Sequence, residues 1–207
     1  MKHKITPLYD CGYVDSNVFI ITDINTNQSA VVDPDFQNAK IDEVVKNFDV
    51  KLILLTHAHF DHIASADKLR ELTNAPIMIH EGDFASCCDK SFNLSSLFGS
   101  LVSFNADKSL VDGEVIKLGE SEIKVFHTPG HTKGSSCFII GDDMISGDMF
   151  FNYSIGRTDF PGGSVYEMKK SIEKLKNLEV DYNVYPGHGT STTLYFEKEN
   201  NPYFISI

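Results

Sequence analysis

The sequence predicts a mixed α/β fold. Three observations carry that reading. Short runs rich in β-branched residues alternate with segments whose apolar residues recur at helical spacing. Each cluster of histidine and aspartate sits just after a strand signal. The 207 residues and their 42% hydrophobic content allow a substantial core without disulfides.

The first strand signals are Val18 to Asp23 and Ala30 to Asp33, separated by a turn carrying Asn25 and Asn27. A helix follows, with Ile41, Val44, Val45 and Phe48 on one face. The run KLILL, residues 51–55, reads as a buried strand that leads straight into THAHFDH. A second helix carries Ile63, Ala66, Leu69 and Leu72 on one side and stops before Pro76, and Ile77 to Ile79 is the next strand. Residues 81–110 are apolar without a period. They read either as a helix and loop beside a pocket or as a satellite of the core. Strands resume at Glu114 to Leu118, Ile123 to His127, Ser136 to Ile140 and Asp143 to Ile145. Ser164, with Glu167 three residues on, opens a helix. Its apolar face is Val165, Met168, Ile172, Leu175 and Leu178, and its lysines form the solvated side. Asn183 to Tyr185 is the last strand, and it runs into PGHG.

Charge and composition narrow the function. The net charge of −11 is the reverse of a nucleic-acid binder's basic field. No run of about 20 apolar residues is present for a membrane span. The N-terminal MKHKITPLYD lacks the apolar core of a signal peptide, so a cytoplasmic protein is expected. Cys11, Cys87, Cys88 and Cys137 then read as reduced thiols acting as small buried hydrophobes.

The chemistry lies in Thr56-His57-Ala58-His59-Phe60-Asp61-His62. In extended chain His57 and His59 point the same way and could grip one ion. A turn into helix would then aim Asp61 and His62 at a second position. Imidazole with carboxylate suits zinc, iron or manganese. His131 in TPGHT, Asp148 in SGD and His188 in PGHG each follow a strand and sit beside glycine. With the first cluster they make a ligand supply fit for two ions. His3, His80 and His127 read as non-ligands. Asp33 reads either as a partner to the ligands or as a plain turn residue.

The ordered motifs HxHxDH, TPGHT, SGD and PGHG resemble the metallo-β-lactamase superfamily over nearly the whole chain. The resemblance implies one domain, a four-layer αββα sandwich with two divalent ions at one edge, zinc first, with iron or manganese as alternatives. It assigns His57, His59 and His131 to one ion, Asp61, His62 and His188 to the other, and Asp148 to the bridge. β-Lactamases of the best-known class carry cysteine at the Asp148 position, which argues against antibiotic hydrolysis. The stretch Ser154 to Gly163, the PGHGTSTT segment and the ending Glu197 to Pro202 resemble short glyoxalase II-like hydrolases without the C-terminal helical domain. The reaction so implied is thioester hydrolysis, of S-lactoylglutathione or a similar small molecule, by a hydroxide held between the ions. Asp61 orients it, and a thiolate leaves without needing an acid. Arg157, Lys133 and Tyr153 are the candidate substrate contacts, with Phe150 and Phe151 beside them. An iron-dependent persulfide dioxygenase resembles the same motifs, Gly-Arg-Thr-Asp included, and is the alternative. A phosphodiester-cleaving relative would want a basic groove. A closed structural metal site would not leave positions open between two ions.

Overall fold

The computed structural model describes every residue except Met1, Asp10, Cys11, Tyr13, Gln37 and Ser100. Two six-stranded sheets face each other. The first comprises β1 (His3–Leu8), β2 (Val18–Asp23), β3 (Gln28–Val32), β4 (Asp49–Leu55), β5 (Ile77–His80) and β6 (Lys108–Leu110), adjacent in that order. β1 to β3 pair antiparallel, and β3 to β6 pair parallel. The second is built from β7 (Val115–Leu118), β8 (Ser121–His127), β9 (Ser136–Ile140), β10 (Asp143–Gly147), β13 (Asn183–Pro186) and β14 (Thr192–Thr193). Between β10 and β13 in sequence, β11 (Phe150–Phe151) and β12 (Ser154–Ile155) form a small hairpin.

Strand periodicity creates the layers. Phe19 and Ile21 of β2, Leu54 of β4 and Met78 of β5 point inward, against Val125, Phe138 and Ile145 of the second sheet. Their neighbours Val18, Ile20, Ile53, Leu55, Ile77 and Ile79 point outward, onto α1 (Asn38–Asn47), α2 (Phe60–Ile63) and α3 (Ala66–Thr73). On the far side Phe126, Cys137, Ile139 and Met144 meet α4 (Val165–Lys176), α5 (Leu194–Asn200) and α6 (Pro202–Ile205). The result is the αββα sandwich. Among the described residues no helix is long and apolar enough to cross a membrane.

Several local expectations are corrected. β1 carries no strand signal in the sequence because its outer-edge position leaves it half-exposed and tolerant of Pro7. The helix read through Ile63 and Leu72 is two helices. Ser65 breaks it, its hydroxyl donating to Phe36 O and accepting Phe36 N–H, and its own N–H bonding Pro34 O. Leu72 and Val165 are exposed rather than packed. The described residues of 81–107 hold two 3₁₀ turns and loop, tied from inside by buried Asn93, whose Nδ2 donates to Cys87 O and Val102 O. Cys87 and Cys137 are buried, and burial pushes both thiols up to about 12. Cys88 is exposed, against expectation, and Cys11 lies outside the described residues. α5 and α6 follow the last strands. Buried Glu197 and Asn201 hold the β11–β12 hairpin through Tyr153 N and Ser154 O.

Candidate metal centre

The polar motifs gather where strand ends of the two sheets meet. Ser136 N–H donates to Thr56 O and Asn17 N–H to Gly187 O, which stitches the two sheets together there. After β4 the chain bends at Thr56 and His57, and His59, back in extended backbone, N-caps α2, so Asp61 and His62 fall in the first helical turn. His131 lies in the β8–β9 loop, Asp148 one residue past β10, and His188 two residues past β13.

These side chains form two triads, His57 with His59 and His131, and Asp61 with His62 and His188. His59 Nδ1 lies 2.8 Å from His131 Nε2. Asp148 spans the triads. Its Oδ1 is 3.4 Å from His62 Nε2, and its Oδ2 is 3.5 Å from His131 Nε2 and 3.7 Å from His188 Nε2. Asp61 Oδ2 is 3.5 Å from His188 Nε2.

The outer nitrogens of His57, His62, His131 and His188 are tied down, which leaves their inner ones for ligation. His62 Nδ1 donates to Asp33 Oδ2 at 3.0 Å, and His131 Nδ1 to Arg157 O at 2.7 Å. His188 Nδ1 donates to Asp15 O at 3.3 Å. His57 Nδ1 donates to Thr56 Oγ1 at 3.0 Å, and that hydroxyl donates to Asp33 Oδ2 at 2.6 Å. Asp33 thus sets two histidines, and the turn-residue alternative falls away. It also groups with His57 and His62 as a possible metal set, but its oxygens already accept three hydrogen bonds.

Inside the cluster His57 Nε2, His59 Nε2, His62 Nε2 and Asp148 Oδ1 are buried without a hydrogen bond. Buried polar atoms are rarely left so. Cations placed among these donors would satisfy His57, His62 and Asp148 together, so the residues fit a two-ion centre. Charge agrees. Burial, then the neighbouring imidazoles, holds His57 and His59 well below the usual histidine range. Burial raises Asp61, but His62 and His188 outweigh it and keep the carboxyl ionised. Burial lowers His62, yet Asp148, Asp61 and Asp33 outweigh that and lift it to about 10. A proton on His62 compensates the carboxylates that an ion would otherwise neutralise.

Two glycines make room for the centre. A Cβ at Gly187 would lie 2.3 Å from Asp148 Oδ1 and 2.7 Å from His62 Cε1. A Cβ at Gly156 would lie 1.9 Å from Asp148 O and 3.0 Å from His131 Nδ1.

A cavity of about 420 Å³ opens on the cluster. It is lined by His59, Asp61, His131, Asp148 and His188, and by Val14, Phe60, Leu94, Phe98, Phe151, Ile155, Gly156, Arg157 and Phe160. Arg157 is there, as expected, though its guanidinium pairs with Asp159. Two expected substrate contacts are corrected. Lys133 lines a neighbouring cavity with His127 and Pro129, because the His131 loop turns it outward. Tyr153 is 52% exposed and packs edge-on against Phe196, while Phe151 faces the cavity in its place. Phe150 belongs to the core.

Sequence reasoning missed three supports. Arg157 and Asp15 act through backbone carbonyls, which carry no sequence signal. Asp83 is buried, its carboxyl raised by that burial. Its Oδ2 accepts Ala58 N–H and the Thr132 hydroxyl, and its Oδ1 accepts Gly134 N–H, so it clamps the His57–His59 segment to the His131 loop.

Comparison with known proteins agrees with this geometry. Residues 11–188 match the Metallo-beta-lactamase superfamily, and the chain belongs to that family. It is a metallo-hydrolase by its class. A Bacillus subtilis protein named as the probable metallo-hydrolase YqgX is 34% identical over 210 residues, covering 98% of this chain and 97% of its own. Among solved structures, the B3 metallo-β-lactamase BLEG-1 superposes with a TM-score of 0.89 at 31% identity, covering 97% of this chain and 99% of its own. TTHA1623, solved in a di-iron-bound form, gives 0.85 at 28% identity, covering 96% and 99%.

Proposed function

We propose that this chain is a binuclear metal-dependent thioester hydrolase of the glyoxalase II type. His57, His59 and His131 would hold one ion and Asp61, His62 and His188 the other, with Asp148 placed between the two sets. When bound, such a pair lowers the pKa of water and polarises an acyl oxygen. Zinc or iron suits the donors. The observation that carries the thioester reading is the cavity wall. Among the described lining residues, every acidic or imidazole side chain belongs to the ligand set, and the remaining titratable group is Arg157. Outside the ligand set, none of these described residues is an acid suited to protonate a departing amine. A thiolate needs no such acid, because free thiols ionise near pH 8.5.

The chain's own groups supply the rest. Asp61, kept ionised by His62 and His188, accepts a hydrogen bond from the attacking water and orients it. Phe60, Phe98 and Phe160 give the cavity an apolar side. Asp33 and the Arg157 carbonyl hold the histidine tautomers fixed through the reaction.

The test is thiol release from a panel of thioesters by protein loaded with zinc or with iron. Release should disappear on chelation and return with the ion. Asp61→Asn, assayed at ion concentrations that keep both sites filled, should lose about 10²–10³ in kcat. No release from fully loaded protein would overturn the reading. A single bound iron with oxygen uptake on a persulfide would put the dioxygenase in its place.

A further inference from the structure

The cavity beside the cluster is walled, outside the ligand set, almost wholly by apolar side chains. Phe98 stacks on Phe60 with centroids 4.6 Å apart and planes 23° apart, although Phe98 is 58% exposed. Phe160 lies edge-on to His59 at 5.7 Å. Val14, Phe151 and Ile155 complete the wall. Leu97 and Leu101, both exposed, lie on the same loop as Phe98. Exposed apolar groups that adjoin a cavity mark a binding surface more often than singly scattered ones do.

Among the described lining residues the one lysine or arginine is Arg157, and its charge is already engaged. Nε donates to Asp159 Oδ1 at 2.8 Å and Nη2 to Asp159 Oδ2 at 2.7 Å, a bidentate pair. The guanidinium carbon sits 3.9 Å from the centre of the Phe160 ring. Lys133, another candidate substrate contact, faces a different cavity. The whole chain carries −11. A glutathione thioester brings two carboxylates to this wall and finds no unpaired cation there.

We infer that the site, read as a thioesterase, takes thioesters whose cavity-filling part is an uncharged alkyl or aryl group. Phe98 and Phe160 are the specificity-determining walls, and glutathione is not selected. This rests on the thioesterase reading and narrows it.

The experiment compares S-acyl-N-acetylcysteamine thioesters, acetyl through decanoyl, with S-octanoylglutathione on the zinc-loaded enzyme. In parallel, calorimetry measures binding of the uncleavable thioethers S-octyl-N-acetylcysteamine and S-octylglutathione. A buried methylene contributes up to about fourfold. The kcat/KM should therefore rise at least about tenfold from acetyl to octanoyl. The octanoyl N-acetylcysteamine ester should exceed its glutathione counterpart by about tenfold or more. Phe98→Ala and Phe160→Ala, checked for fold by circular dichroism, should flatten the chain-length dependence. A flat dependence in the parent enzyme, or a preference for the glutathione ester, overturns the inference and leaves the thioesterase reading standing. No hydrolysis of any ester sinks the thioesterase reading. The thioether affinities then decide the apolar preference by themselves, and tighter S-octylglutathione binding refutes it.

Discussion

Asp33→Asn isolates the histidine-orienting carboxylate at nearly constant volume. Asp33 Oδ2 accepts from the Thr56 hydroxyl and from His62 Nδ1, and Oδ1 accepts from Thr56 N–H at 2.7 Å. The residue is buried. An asparagine cannot keep all three bonds. With its oxygen toward His62, its amide faces Thr56 N–H, donor against donor. With the amide reversed, His62 must move its proton to Nε2, the nitrogen aimed at the ion. The less disruptive arrangement leaves two buried donors unpaired, at about 1–3 kcal/mol each. A loss of about 2–6 kcal/mol corresponds to a fall in Tm of roughly 4–24 °C for a chain of this size. Removing the partner of a ligand histidine typically lowers metal affinity about 10–100-fold. The assays are thermal melting of metal-free protein and competition with a chromophoric chelator. A Tm within about 2 °C of the parent, together with unchanged affinity for both ions, would refute the role given to Asp33.

Two further substitutions probe the frame. Gly156→Ala puts a methyl into Asp148 O and against the ring of His131, so ion content and turnover should both fall at least about tenfold. Parent-like metal content and rate would show that the 156–157 segment moves aside freely. His80 tests pH linkage away from the ligands. It stacks on His127 at 3.8 Å, with Asp112 and Lys174 nearby, and burial, then His127, holds it near pKa 4. Between pH 6.5 and 4 the unfolded chain binds a proton that folded His80 refuses, so stability falls as pH drops through that window. His80→Asn keeps an acceptor for Gly82 N–H and should recover on the order of 1 kcal/mol at pH 5, a few °C in Tm. Parallel Tm-against-pH curves would count against this.

The legible part of the fold is the part that follows periodicity. β2, β4, β5 and β9 have apolar residues facing both a neighbouring sheet and a helix layer, so they read as near-continuous apolar runs, while β8 reads by its alternation of buried and exposed residues. β1 and the 81–107 loop did not read. An edge strand is half-wet, and a loop held by Asn93 bonds within it and by Asp83 to Gly134 has no repeating pattern to read. In the site, histidine and aspartate side chains with an aligned motif could be seen from sequence, and the structure brings all of them together. What lies one layer out could not be seen. Backbone carbonyls of Asp15 and Arg157 have no residue signature, and the outward turn of Lys133 and Tyr153 is set by loop geometry alone.

The most direct measurement is a titration of zinc or iron into metal-free protein, with thiol release from a neutral thioester followed against ions bound per chain. The account predicts little turnover at one equivalent and a sharp rise as the second is filled. Full activity at one equivalent, or none at two, would contradict it.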